Sequence, residues 1–153
     1  MYRAIDIVNK FIEIDEKEHT KEKLSLLKAM KLLYYAEGCS LASGNGSLFS
    51  EKIVAWGHGP AVIEVYGFYK DPYNLKITTD QNYEYSKIED KDNELLNQVY
   101  QVFGKNYTAW QLREKTRIEK PWIEASRNGT YFKNPEIERD KIEEYFRLKY
   151  VSV

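Results

Sequence analysis

The stretch of residues 23–69 reads KLSLLKAMKLLYYAEGCSLASGNGSLFSEKIVAWGHGPAVIEVYGFY, and it carries the strongest structural signals of the chain. Its first part predicts a helix from about Lys21 to Ala42, in which Leu27, Met30 and Tyr34 share one side at about 100° per residue. Apolar residues also occupy the other sides of this helix. Since a helix that is apolar most of the way round is usually covered by several neighbours, we expect it to be central.

The second part of the stretch predicts a turn, a short strand and another helix. Residues 44–47 form a Gly-Asn-Gly-Ser turn cluster, and residues 53–56 are a short apolar run rich in strand formers. Residues 57–60 then read GHGP. Because proline suits the first position of a helix, where its missing N–H is not needed, the pattern predicts a helix that begins at Pro60.

Helical patterns continue on both sides of this stretch. Apolar spacing and turn signals predict further helices over residues 4–14, 91–103, 108–116, from about 119 onward and 136–150. Thr20 and Thr108 are predicted N-caps, residues 15–22 a charged break and residues 76–86 a loop. We expect a mainly α fold: a single compact helical domain over residues 1–153, with a small two- or three-stranded β element.

The chain is long enough to bury a core, and its charge is nearly balanced. It has 153 residues, 31% of them charged, and a formal net charge of −1. This balance disfavours a strong non-specific nucleic-acid binder, which normally carries a basic excess. The single cysteine, Cys39, excludes an intramolecular disulfide, and no apolar run reaches the roughly 20 residues of a membrane helix. We therefore expect a soluble, cytoplasmic protein without a membrane contact.

Aromatic residues make up 14% of the chain, and 13 of them are tyrosines. Tyrosine joins a large apolar ring to a hydroxyl that tolerates water, so a surplus indicates either a core with polar edges or a partner-binding face. The tyrosines recur at helix-face spacing, which favours the core.

Several short motifs follow one another in an order that resembles a known family. They are KLLYYAEG at 31–38, SLFSEKIVAWGHGP at 47–60, EVYGFYK at 64–70, and a later block formed by 110–117 with Pro121-Trp122. This ordered set resembles the Panacea family, the SocA-like antitoxin domain of phage-associated and mobile-element proteins, over about Ala4 to Phe146. The residues that carry the resemblance are Tyr34, Tyr35, Glu37, Gly38, Phe49, Trp56, Gly59, Pro60, Thr116, Pro121 and Trp122.

The resemblance implies an antitoxin that neutralises a partner toxin by direct protein contact, without catalysis. It also implies that the toxin is encoded by a neighbouring gene, and that some members hand the toxin to a protease. Interfaces of this kind use aromatic and arginine anchors. The candidate anchors are Tyr66, Tyr69, Trp110, Trp122 and Arg117, and Arg117 stands where the family usually has histidine.

An alternative function is a DNA-binding regulator of a mobile-element operon, through a helix-turn-helix over residues 108–122. Lys115, Arg117 and Lys120 would contact phosphate, and Gln111 and Arg113 would reach base edges. Against this, the same segment carries acidic residues that would repel phosphate, namely Glu114, Glu119 and Glu124.

A second alternative is a small enzyme that uses Glu37, His58 or Cys39. A carboxylate inside the apolar stripe of a helix must be paired or protonated, and we interpret Glu37 as a polar anchor of the 57–60 turn rather than an acid or base. Zinc sites need three or four ligands at short spacing, which His19, His58 and Cys39 do not supply. We expect no metal, no cofactor and no catalysis.

Overall fold

The computed structural model describes residues 1–18 and 20–151. Within these ranges the chain forms seven α-helices and one two-stranded antiparallel sheet. The elements are α1 Ala4–Glu18, α2 Leu26–Ala42, β1 Val54–Trp56, β2 Gly59–Ala61, α3 Ile63–Phe68, α4 Asp90–Val99, α5 Ala109–Arg117, α6 Lys120–Ala125 and α7 Arg139–Lys149. The predicted fold class, mainly α with a small β element, is confirmed.

Helix α2 lies at the centre of the molecule. Fourteen of its 17 residues are buried, which leaves the helix no solvent-exposed side. Helices α1, α4, α5 and α7 all pack against it, as does strand β2. The prediction of a central helix is therefore correct, and the charged residues of α2 are buried together with the apolar ones.

Helices α2 and α7 approach each other closely at Gly38. A Cβ atom built at this position would lie 2.5 Å from Cδ2 of the Phe146 ring, well inside van der Waals contact. Phe146 also makes an edge-to-face contact with Tyr34, with ring centroids 5.3 Å apart. Since α2 continues past Gly38 to Ala42, the glycine serves the packing of α7 and does not end the helix.

The two strands form a hairpin whose register pairs Val54 with Ala61 and Trp56 with Gly59. The prediction of a helix that begins at Pro60 is wrong, because Gly59 has a φ of 110° and turns the chain back into β2. Helix α3 starts three residues later, at Ile63. On the other edge of β1, residues 135–137 run alongside it through two backbone hydrogen bonds of 2.9 and 2.7 Å.

The predicted boundary between the first two helices is also wrong. Helix α1 continues through Asp15 to Glu18, and the carboxylate of Asp15 accepts a hydrogen bond from the Leu24 amide at 2.9 Å. This contact holds the connecting segment against α1, and α2 begins only at Leu26. Its N-cap is Ser25, whose hydroxyl accepts from the Lys28 amide, and not Thr20.

The later helices agree with prediction more closely. Thr108 is the N-cap of α5, as predicted, and it forms a capping box with Gln111. Helix α4 is regular only as far as Val99, and residues 100–104 form a π-helical turn. Helix α7 begins at Arg139, three residues later than predicted, because residues 135–137 are extended along β1.

We predict that Gly38→Ala destabilises the fold by about 1 kcal/mol or more. The added methyl would overpack the contact with Phe146 by roughly 1–3 kcal/mol or more, against a gain of about 1 kcal/mol in helix propensity. Urea unfolding measures the difference. Gly57→Ala is the matched control, because its new Cβ would meet nothing within 4 Å. A Gly38→Ala variant as stable as the wild type would contradict the close packing.

Candidate functional site

The separate motifs of the sequence meet where the hairpin, α2 and α5 come together. A Cβ at Gly59 would lie 2.7 Å from the Thr116 hydroxyl oxygen, so glycine is required for α5 to approach β2. The Trp122 indole donates a 2.8 Å hydrogen bond to the Trp56 carbonyl. Pro121 and Trp122 are both buried in this junction. Glycine, threonine and tryptophan thus join elements that lie about 60 residues apart in the chain.

A buried lysine fixes the hairpin to the central helix. Lys31 is fully buried, and its Nζ lies 2.7 Å from the Pro60 carbonyl oxygen and 3.0 Å from Nδ1 of His58. Burial, with the nearby Arg113 charge, holds the pKa of Lys31 well below its ordinary value. Burial also lowers the pKa of His58 to about 4, and the charges of Lys31 and Arg113 add to this effect. The imidazole is therefore neutral at pH 7.

The solvent-facing side of this junction is named here the hairpin–α5 surface. It consists of six side chains: Trp56, His58, Tyr66, Trp110, Arg113 and Arg117. The Trp56 ring contacts His58 and Tyr66 edge to face, with centroid distances of 5.5 and 5.2 Å. Trp110, Arg113 and Arg117 share one side of α5, since helix positions three and four apart are neighbours. The hairpin and Tyr66 therefore present an aromatic cluster, and α5 beside them presents one tryptophan with two arginines.

The two arginines of this surface differ in their intramolecular partners. The Arg113 guanidinium lies 4.4 Å from the Trp110 ring centroid and forms an ion pair with Glu114. The Arg117 guanidinium lies 5.1 Å from the Trp122 ring centroid and makes no salt bridge within residues 1–18 and 20–151. Its Nε is buried and has no hydrogen-bond acceptor among those residues.

The residues predicted as partner anchors fall into two groups. Tyr66 and Trp110 are 56% and 62% exposed, and Arg117 is half-buried, so all three can be reached from outside. Tyr69 and Trp122 are only 5% and 3% exposed, because they pack into the core. In the folded chain these two side chains offer a partner little surface, so their role as anchors stays a prediction with less support.

Glu37 anchors a different segment from the one predicted. Its carboxylate accepts hydrogen bonds from the Ser47 hydroxyl and from the Leu48 amide, the latter at 2.7 Å, and it pairs with Arg139. Arg139 in turn donates to the Phe49 carbonyl oxygen at 2.8 Å. Glu37 lies nearly two turns beyond Lys31 on α2, which is why it holds residues 47–49 and not the 57–60 turn.

A third polar group lies between these two anchors. The buried Glu119 carboxylate accepts hydrogen bonds from the hydroxyls of Tyr34 at 3.0 Å, Tyr35 at 3.2 Å and Tyr150. Lys115 lies 3.7 Å from the same carboxylate. Burial raises the pKa of Glu119 above its ordinary value, although these hydrogen bonds and Lys115 oppose the shift. The tyrosine pair of α2 thereby ties the start of α6 and the end of α7 to the core.

Sequence reasoning missed Lys31, Glu119 and Arg139 as anchors. Two patterns in the sequence could have indicated the first two. A helix that is apolar on every side leaves no exposed position for Lys31, and Glu119 follows Leu112 and Thr116 at the spacing of a buried helical stripe. No local pattern marks Arg139, whose partner Glu37 lies 102 residues away.

The residues of the DNA-binding alternative are mostly engaged within the chain. Gln111 belongs to the capping box, Lys115 lies beside Glu119, and Lys120 lies 3.7 Å from Glu124. Helix α6, which would be the second helix of the motif, has six residues and buries Pro121 and Trp122. This arrangement gives the DNA-binding hypothesis less support than the sequence did.

The residues of the enzyme alternative have separate surroundings. Glu37 contacts Arg139, His58 contacts Lys31, and no hydrogen bond in the described part of the chain joins them to each other or to Cys39. Burial raises the pKa of the Cys39 thiol to about 11. Among the described residues, which exclude His19, no group of three or more His, Cys, Asp or Glu side chains could hold a metal ion.

Comparison with known families places the chain. A model of the SocA-like antitoxin family with a Panacea domain matches residues 29–123, and the chain belongs to that family. The matched part is shorter than the span from Ala4 to Phe146 predicted from the sequence, and it covers the hairpin–α5 surface completely. No curated protein and no solved structure matches the chain significantly. None of the helices in the described ranges combines the length and apolar character needed to cross a membrane.

We predict that Glu37→Gln lowers the free energy of unfolding by about 2 kcal/mol. The amide removes the charge that pairs with Arg139, and hydrogen bonds to charged groups contribute roughly 1.5–3 kcal/mol. Glu143→Gln is the matched control, because its i,i+4 pair with Arg147 is exposed and such pairs contribute about 0.5 kcal/mol or less. Equal losses in the two variants, measured by urea unfolding, would show that Glu37 is not an anchor.

We predict that ionisation of Glu119 makes the fold less stable as pH rises. Because its pKa is raised on folding from its ordinary value of 4.5, the folded state holds this proton more tightly. The contribution is complete below about pH 4.5 and is lost as pH passes through the raised pKa. The unfolding free energy of the wild type minus that of Glu119→Gln should therefore fall with pH. A difference that rises with pH would be incompatible with this assignment.

Proposed function

We propose that this protein neutralises a partner toxin by binding it directly through the hairpin–α5 surface. Membership of the SocA-like antitoxin family supports the general role. The observation that carries the proposal is a surface rich in aromatic and arginine side chains, the residue types that dominate binding energy at protein interfaces, on which Tyr66 and Trp110 are more than half exposed. Its supporting residues, among them Gly59, Thr116 and Trp122, belong to the motifs of the family.

The interior anchors favour tight binding by this surface. Lys31 holds the hairpin turn from below, and the Trp122 indole holds the Trp56 carbonyl. A surface that is rigid before it meets its partner loses less conformational entropy on association. Neutralisation by occupancy needs no chemistry, so one antitoxin chain would cover one functional site on one toxin molecule.

We also propose where the protein acts, how many domains it has and which gene encodes its partner. We place it in the cytoplasm, where a toxin made by the same cell would act, and we propose that residues 1–153 work as a single domain. The toxin is proposed to come from a neighbouring gene, and a bound toxin could pass to a protease. Catalysis, cofactors and nucleic acid have no part in this mechanism.

Co-expression tests the proposal most directly. The protein encoded by the adjacent reading frame is expressed alone and together with this chain, and growth and co-purification are scored. We expect growth arrest with the neighbour alone, rescue on co-expression and a stable complex at equal stoichiometry. If a toxic neighbour were neither rescued nor bound, the proposal would be wrong for that pair.

We predict that Trp110→Ala weakens toxin binding by at least about tenfold. Truncation of an aromatic hot-spot residue commonly costs about 2 kcal/mol or more, which exceeds the roughly 1.4 kcal/mol that corresponds to a factor of ten. Trp110 is 62% exposed, so its loss should leave the melting temperature nearly unchanged. Tyr73→Ala is the control, because Tyr73 is 83% exposed and lies in the turn that follows α3. Equal affinities of the two variants would exclude Trp110 from the interface.

A further inference from the structure

We infer that the hairpin–α5 surface receives an acidic segment of the partner, whose carboxylate pairs with Arg117. This inference rests on the proposed function in one respect, namely that the partner is the toxin. It adds the chemistry of the bound segment and the residue that recognises it. Its basis is the unusual state of the Arg117 side chain.

Arg117 carries hydrogen-bonding capacity that the described part of the chain does not use. Its Nε is buried without an acceptor there, and its guanidinium forms no salt bridge with a described residue. A buried donor left without a partner is destabilising, because it has lost its hydrogen bonds to water. Arg139, by comparison, pairs with Glu37 and donates to two backbone carbonyl oxygens. A carboxylate of the partner, bound at the part of the half-buried guanidinium that solvent reaches, would give Arg117 the ion pair that it lacks.

The geometry of Arg117 suits a carboxylate. The guanidinium lies 5.1 Å from the ring centroid of Trp122, a buried side chain that is itself fixed by its hydrogen bond to Trp56. A guanidinium placed in this way is pre-organised, and its planar fork matches the two oxygens of a carboxylate. The bidentate pair would form at the edge of the buried junction, where solvent screening is weaker than on an open surface.

The charge around Arg117 also favours an acidic ligand. Arg113 lies one turn away on the same side of α5, and only Glu114 pairs with it. Lys31, which is buried beneath the hairpin turn, and His58, which lies within that turn, add no negative charge. An acidic segment would meet two arginines here, whereas a basic segment would bury Arg117 against a like charge.

Helix geometry sets the spacing that the segment needs. Trp110 and Arg117 are seven residues apart in α5, which corresponds to about 10 Å along the helix axis. An extended chain covers this distance in about three residues. The segment should therefore place an aromatic or aliphatic residue, for contact with Trp110, about three positions from the acidic residue that pairs with Arg117.

A single carboxylate fits this surface better than a nucleic-acid backbone does. Regular phosphate contacts need several free basic groups in a row. Lys115 and Lys120, which extend the basic run of α5 and α6, lie beside Glu119 and Glu124. Arg113 pairs with Glu114, so Arg117 is the one basic side chain of α5 without an ion pair to a described residue. The aromatic rings beside it suit an apolar side chain.

Peptide selection on the full chain tests the inference even while the toxin is unidentified. A display library of random peptides of about 12 residues, long enough to span the surface when extended, is selected on immobilised wild-type protein. We expect enrichment of Asp or Glu with an apolar residue about three positions away. A synthetic peptide of the enriched sequence should bind Arg117→Gln at least about tenfold more weakly than wild type.

Two further variants make the comparison specific. Arg117→Lys keeps the charge but loses the planar fork, and we expect an affinity between those of the wild type and Arg117→Gln. Arg147→Gln is the matched control, because Arg147 lies on α7 and pairs with Glu143, and it should bind like the wild type. Thermal unfolding of every variant checks that the fold is intact.

The inference is overturned by any of three results: no enriched sequence, enriched peptides without acidic residues, or equal binding by wild type and Arg117→Gln. Binding of a labelled DNA duplex that depends on Arg117, with no acidic peptide selected, would assign the surface to nucleic acid instead. The co-expression assay separates this test from the proposed function. If Arg117→Gln still rescued growth, the antitoxin function would be supported and the acidic-segment inference would be wrong. If acidic peptides bound but co-expression gave no rescue, the inference about the surface would be supported and the antitoxin function would be wrong.

Discussion

Helix α2 buries the ionisable side chains of Lys31 and Glu37, and their need for partners determines how the surrounding elements pack. With 14 of its 17 residues buried, the helix has no side on which Lys31 or Glu37 could meet water. A buried charge without a partner costs far more than one hydrogen bond contributes, so each of these groups must be met by another part of the chain. Lys31 donates a hydrogen bond to the hairpin. Glu37 accepts hydrogen bonds from residues 47–48 and forms an ion pair with Arg139.

These interior contacts explain how a small chain with short strands presents an ordered surface. A two-stranded hairpin of three-residue strands is marginal alone, and here it is held by Lys31 on one side and by residues 135–137 on the other. The Glu119 carboxylate, just after α5, accepts hydrogen bonds from Tyr34 on α2 and from Tyr150 at the end of α7. The aromatic and arginine residues of the hairpin–α5 surface therefore lie on elements that interior contacts hold in place. The side chains that make those interior contacts are largely different from the ones that face solvent.

Features that depend on local periodicity could be predicted from the sequence. Features that depend on contacts between residues far apart in the chain could not. The central helix, the α5 cap at Thr108 and the small β element follow from spacing and turn chemistry. The pairing of Glu119 with Tyr34 spans 85 residues, and no local pattern records such a contact. The prediction of a helix that begins at Pro60 failed for a related reason. Proline suits the start of a helix, but the positive φ of Gly59, which is seen only in the folded chain, places Pro60 in a strand.

The same separation suggests how one scaffold of this family could serve different partners. The family resemblance implies a histidine after the motif threonine, and this chain carries Arg117 there. An imidazole with an ordinary pKa of about 6.5 is mostly neutral at pH 7, whereas a guanidinium is always charged and offers a planar fork. Thr116 beside it is buried against Gly59. On the proposed interface, a change at Arg117 would thus alter the chemistry offered to a partner, while Lys31, Glu37 and Glu119 keep their contacts within the fold.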